Sequence, residues 1–151
     1  PLFFSSMAFL LLLVLTAFAP PANLKWENWA SGYPRAVKEK KILLVDAYTD
    51  WCGWCKRMDR DTYENAGIID ILNKSFVPVK LNPEKGETFE YLGKKYSGPE
   101  LLALLSENRL RGYPTTLFVI PHKNNKVIFQ PGYYNAQNFT PVLAKVMEEA
   151  K

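Results

Sequence analysis

The sequence predicts an α/β fold in which a central mixed β-sheet is flanked by helices. Short apolar and β-branched runs at Ile42 to Val45, Phe76 to Leu81 and Leu117 to Ile120 alternate with segments whose apolar residues recur at helical spacing. The only two cysteines, Cys52 and Cys55, lie between the first of these runs and a helix-forming stretch, Lys56 to Asp61. After the third run, Asn124-Asn125 suits a tight turn with positive φ, and Lys126 to Gln130 returns as an antiparallel hairpin partner. That hairpin is what makes the sheet mixed.

Size and charge narrow the function. At 151 residues the chain makes one domain with a respectable core. Its net charge of +4 comes from 19 basic and 15 acidic residues, all at or after Lys25. No Lys/Arg block is long enough for a nucleic-acid partner; Lys38-Glu39-Lys40-Lys41 and the 123–126 turn read as solvated helix ends and turns. Two cysteines cannot form a disulfide scaffold. With His122 as the single histidine they cannot complete a four-ligand zinc site, and Lys56 stands where c-type haem attachment needs histidine. Iron–sulfur ligation needs about four thiolates. No metal or other cofactor is therefore expected. Redox exchange or a small inert disulfide remains for the pair.

In chain order, residues 2–19 form an uncharged apolar run closing on Ala17-Phe18-Ala19, a small-x-small pattern typical of secretory cleavage sites. The run is slightly short of the ~20 residues of a membrane span. Residues 1–22 are expected as a signal peptide or membrane anchor and 23–151 as the folded domain, placed outside the cytoplasm by either role. From Asn23 to Lys40, Trp26, Trp29, Tyr33, Ala36 and Val37 predict an amphipathic helix interrupted near Gly32-Tyr33-Pro34. Lys41 to Tyr48 is a buried strand. A helix opens on Cys52, and Ile68, Ile71 and Leu72 share one face of a further helix, or of its continuation past a kink. Pro78 weakens the start of the strand Phe76 to Asn82, because proline cannot donate to a ladder. Pro83 to Arg111 is the least regular part, with a small hairpin about Gly93 and a helix led by Pro99. Gly132 breaks the last strand. The final helix carries Phe139, Val142, Leu143 and Val146, with Asn135 and Thr140 both suited to cap it.

The strand, turn and helix around the cysteines have a chemical consequence. They place Cys52 at a helix N-terminus, where free N–H groups and the macrodipole favour a thiolate. Cys52 is expected at the exposed helix end as attacker. Cys55, one turn on, faces inward as the resolving thiol. As a structural disulfide the pair would close too short a loop to constrain the unfolded chain much.

The element order and several residues resemble the thioredoxin fold. Trp51-Cys52-Gly53-x-Cys55-Lys56 matches the thioredoxin signature except at Trp54, where thioredoxin has proline. Asp46 falls where thioredoxins carry a buried acid, and Lys80 on that acid's partner. Tyr113-Pro114-Thr115 matches the cis-proline loop, and Gly132 a glycine after the last strand. The resemblance covers residues 24–151. Between Lys80 and Pro114 the chain is longer than thioredoxin, with an insert at Glu87 to Asn108; leader and insert together resemble bacterial periplasmic thioredoxin-like reductases.

The resemblance implies roles. Cys52 and Cys55 are the catalytic pair, Asp46 accepts the proton of Cys55, and Lys80 holds its charge near Asp46. A cis bond at Tyr113–Pro114 offers backbone groups to an extended substrate, while Trp51, Gly53 and Trp54 form a rim for docking. The expected function is thiol:disulfide exchange on protein substrates, in the reductase direction, by a monomer that works with a redox partner protein. The alternatives are a non-catalytic binding module and a metal-delivery protein using the two sulfurs as soft ligands.

Overall fold

The structure is a computed structural model that describes residues 23–151. The expected signal or anchor at 1–22 lies outside the described residues. In order the elements are α1 (Trp29–Glu39), β1 (Ile42–Ala47), α2 (Gly53–Met58), a π-helical turn (Asp59–Tyr63), α3 (Ala66–Ser75) and β2 (Phe76–Leu81). There follow β3 (Thr88–Tyr91), β4 (Lys94–Ser97), α4 (Gly98–Leu105), β5 (Thr115–Ile120), β6 (Lys126–Pro131) and α5 (Ala136–Glu149). The main sheet has the order β2-β1-β5-β6, with β1 and β2 parallel and the other pairings antiparallel. β3 and β4 form a separate hairpin. No helix among the described residues is long and apolar enough to cross a membrane.

Alternation along the buried strands sorts the core onto two faces. Leu43, Val45 and Ala47 of β1 pack with Val77, Val79 and Leu81 of β2 beneath α1, α4 and the β3–β4 hairpin. Ile42 and Leu44 face the other way, toward Met58, Tyr63, Ile68, Leu72, Phe139 and Leu143. Asp46 continues the second series at the end of β1 and is a carboxylate where the pattern calls for a hydrophobe.

Several expectations are corrected. Helix α1 starts later than anticipated, capped by Asn28, and runs unbroken through Gly32 and Pro34. Gly32 is there for packing: a Cβ at this position would lie 2.3 Å from Val79 Cγ2. Pro78 does not weaken β2. The Glu27 N–H donates to Pro78 O (2.9 Å) and the Lys80 N–H to Glu27 O (3.1 Å), so residues 78 and 80 turn their backbone groups to the sheet edge. The missing N–H of proline falls on that side and costs β1 no bond. The expected hairpin and helix after Pro83 are present, while 83–87 and 106–114 belong to neither helix nor strand. Leu92 and Gly93, both at positive φ, turn the hairpin, and Ser97 caps α4 in a reciprocal pair with Glu100, which starts the helix one residue before Pro99. Asn135, rather than Thr140, caps α5.

The close approach of α1 to β2 is testable. Alanine would raise helix propensity at Gly32 by about 1 kcal/mol, yet the collision with a stiff buried valine outweighs it. Gly32→Ala is expected to lower stability by about 1–3 kcal/mol in urea unfolding.

Candidate functional site

Cys52 is the N-cap of α2. Its backbone is extended, its N–H donates to Thr49 O (3.2 Å), and its Sγ accepts the Cys55 N–H (3.1 Å). Cys52 and Cys55 are joined in a disulfide. The expected exposure of Cys52 is not observed: it is 4% exposed and Cys55 3%. The sulfur is turned in against the first helical N–H groups and bonded to its neighbour. What the site shows to solvent is Trp51, 68% exposed, and Trp54, 55% exposed.

These two tryptophans belong to different clusters. Trp51 stands edge-on to Tyr113, ring centroids 6.1 Å apart, and its Nε1–H donates to both oxygens of Glu84 (3.1 Å each). Trp54 packs instead on Tyr133 (5.2 Å), with the Arg57 guanidinium 5.1 Å from the Trp54 ring and 5.6 Å from that of Tyr133. Asp61 Oδ2 accepts from both the Tyr133 hydroxyl (2.7 Å) and Arg57 Nε (3.2 Å). Cation and rings thus form one exposed ledge. The Tyr113–Pro114 peptide is cis, and Pro114 O accepts the Gly132 N–H (2.9 Å), with Gly132 at φ +91°. Gly53 is exposed, and nothing lies within 4 Å of where its Cβ would be, so packing does not demand glycine there.

On the sheet face covered by α2, Asp46 is 2% exposed and directly opposite Lys80 in the β1–β2 register. Lys80 Nζ donates to Asp46 Oδ2 (2.5 Å) and also to Asp59 Oδ1 on the π-helical turn. Three rings surround the ammonium: Trp26 at 4.6 Å, Tyr48 at 5.0 Å and Tyr63 at 5.6 Å. Burial pushes the Asp46 carboxyl above the ordinary range; Lys80 pulls it down without prevailing, and the charge of Asp59 pushes the same way as burial. Burial would lower the Lys80 ammonium, but Asp46 and Asp59 together hold it above its usual value.

Of the residues picked out in the sequence, the structure therefore brings together Cys52 with Cys55, Asp46 with Lys80, and Trp51 with Tyr113 beside Pro114. Trp54 goes to Tyr133. The sequence reading missed Asp59, Glu84, Arg57 and Tyr133. Asp59 alone carried a signal, standing four residues after Cys55 and so on the same helical face. Among the described residues no group of three or more His, Cys, Asp or Glu is placed to hold a metal ion.

The Thioredox_DsbH family, described as a protein of unknown function (DUF255), matches residues 15–151. This chain belongs to that family. The Thioredox_DsbH chain is 36% identical over 64 residues to Protein disulfide isomerase-like 5-3 of Oryza sativa subsp. japonica, a match spanning 42% of this chain and 14% of that protein. It spans less than a fifth of the length of the first curated relatives it matches. Its fold is similar to that of a thioredoxin from Thermus thermophilus (TM-score 0.64, 19% identity, 85% of this chain and 91% of that one). It is also similar to a DsbH oxidoreductase (TM-score 0.60, 17% identity, 90% and 92%). The chain thus joins Thioredox_DsbH membership to a thioredoxin-like fold with its Cys-x-x-Cys pair closed as a disulfide.

The raised carboxyl of Asp46 has a thermodynamic signature. Asp46 holds its proton more tightly folded than unfolded, so its contribution to stability is full below the unfolded pKa and is lost as pH rises through the folded one. Asp46→Asn removes that loss and leaves Lys80 its bond to Asp59. Urea unfolding from pH 4 to pH 9 is expected to show the variant gaining on the parent by about 1.4 kcal/mol per pH unit until Asp46 ionises, then holding level. A constant difference across that range would contradict it.

Proposed function

We propose that the chain is a thiol:disulfide oxidoreductase that reduces disulfides of protein substrates outside the cytoplasm and is itself re-reduced by a redox partner protein. The observation carrying this is the Cys52–Cys55 disulfide at the start of α2, on the sheet face that also holds a buried Asp46 whose proton affinity burial raises. The location rests on the uncharged apolar run at residues 2–19, read as a signal or anchor. The reductase direction is favoured by Asp46, which equips the second thiol to act.

In the reduced chain Cys52 Sγ is the thiolate, supported by the Cys55 N–H and the start of α2. It attacks one sulfur of a substrate disulfide, a mixed disulfide forms, and one substrate thiolate leaves. Cys55 gives its proton to the Asp46 carboxylate and attacks Cys52 Sγ. The internal disulfide closes, the mixed disulfide breaks, and the second substrate thiolate leaves to take up a proton. Two electrons pass from the dithiol to the substrate. When Asp46 becomes neutral, Lys80 keeps Asp59 as its partner, so no buried ammonium is stranded. Tyr113 and Pro114 line the approach with Trp51, held by Glu84, and Trp54 supplies the opposite rim. Gly53 leaves the space over the helix start open to an extended substrate segment.

Cys55→Ser tests this. With a disulfide-bonded peptide, the variant is expected to accumulate a covalent adduct on Cys52, seen by mass spectrometry, with turnover abolished. Cys52→Ser should form none. A Cys55→Ser variant that captures no peptide, or a reduced parent that turns none over, would remove the proposal.

A further inference from the structure

We propose that Tyr63 and Thr116, two buried hydroxyl residues, act as positioning residues for Asp46: their hydroxyls, joined to Asp46 Oδ1 by one internal water, stabilise its carboxylate while Cys55 resolves the mixed disulfide. This rests on the function proposed above and adds to it a pair of residues that the resemblance to thioredoxin did not mark.

The geometry begins with the sheet. Thr116 is the cross-strand partner of Asp46 in the antiparallel β1–β5 pair, so the two side chains rise side by side from the same face. Tyr63 ends the π-helical turn that follows α2. It is 3% exposed, its ring held edge-on by Trp26 (4.8 Å) and Phe139 (6.0 Å) and set 5.6 Å from Lys80 Nζ, the same ammonium that binds Asp46. Asp46 Oδ1, Tyr63 Oη and Thr116 Oγ1 are all buried and none is in a well-formed hydrogen bond within the protein, although the Tyr63 and Thr116 hydroxyls lie close enough to act on one another. Three orphan polar atoms from neighbouring positions are what an internal water requires, since such a water makes two to four bonds. Burial pushes the Tyr63 hydroxyl well up, the charge of Asp46 adds to this, and Thr116 is near enough to pull the other way. Tyr63 therefore remains a neutral donor throughout the working pH range.

Asp46 has two carboxylate oxygens with different company. Oδ2 is held by Lys80, itself shared with Asp59. Oδ1 is buried and has no hydrogen-bond partner within the protein. A hydrogen bond to the ionised form favours that form, so hydroxyl donation at Oδ1 lowers the proton affinity that burial has raised. Besides Cys55, whose proton it is proposed to take, the groups set around Asp46 are Lys80 from β2, Asp59 and Tyr63 from the π-helical turn and Thr116 from β5; Tyr48, beyond the end of β1, faces the Lys80 ammonium. Apart from these hydroxyls, only Lys80 in that group stabilises the charged carboxylate.

Tyr63→Phe keeps the packed ring and removes only the hydroxyl; Thr116→Val does the same on β5, and Thr116→Ser restores it. The carboxyl titration of Asp46, followed by carbon-13 NMR in the oxidised full chain, is expected to move up by about one pH unit in Tyr63→Phe and in Thr116→Val, and to return in Thr116→Ser. The pH midpoint of mixed-disulfide resolution should rise with it, which slows the step about tenfold below the midpoint. Unchanged titration in both hydroxyl-deleting variants, or a downward shift, overturns the inference while leaving parental turnover intact. Loss of parental turnover itself would instead overturn the function on which it rests.

Discussion

The ion pair between Asp46 and Lys80 is the constraint on which the rest depends. The parallel register of β1 and β2 sets the two residues opposite each other, and the chain must then accept a carboxylate within its core. An unpaired charge there would be costly enough to break the fold or force neutralisation. The chain answers with a cation whose ammonium lies among the rings of Trp26, Tyr48 and Tyr63, and with a second carboxylate, Asp59, that keeps the cation in place. Lys80 is shared, so it compensates Asp46 incompletely. Incomplete compensation is why burial still holds the Asp46 carboxyl above its ordinary range.

The same economy runs through the sulfur site. One short helix supplies the Cys55 N–H to Cys52, and its continuation as a π-helical turn delivers Asp59 and Tyr63 to the acid's surroundings. π-helical insertions are often found at functional sites, and here the insertion aligns two side chains with a strand. Around the cysteines, the exposed surface is aromatic and held by carboxylates: Glu84 fixes Trp51, while Asp61 fixes Tyr133 and Arg57 beside Trp54. Rings fixed in advance lose little freedom when a partner covers them.

Much of this was legible in the chain. Apolar runs located β1, β2 and β5, because buried strands leave stretches such as Leu43-Leu44-Val45 and Leu117-Phe118-Val119 that few other structures need, and the turn at Asn124-Asn125 located the half-buried β6. The cysteine spacing, and its place between strand and helix, pointed to the chemistry. Local rules misled where tertiary contact outweighed them. Gly32 and Pro34 read as breakers, yet packing on Val79 holds α1 continuous. Pro78 read as a defect, yet the sheet edge takes up its missing donor. Cys52 read as exposed, because helix position says where a residue begins and not where its sulfur turns.

By itself the sequence determined the order of elements and the place of the cysteine pair between strand and helix, since these follow from side-chain periodicity and from residue types adjacent in the chain. Tertiary structure alone decided that Lys80 is divided between Asp46 and Asp59, that Trp51 and Trp54 part company, that Thr116 stands opposite Asp46 across the sheet and that Tyr63 comes to the ammonium of Lys80. Each of these joins residues far apart in the chain, or of no distinctive pattern. Their meeting is set by strand register and helix packing, which no local spacing encodes.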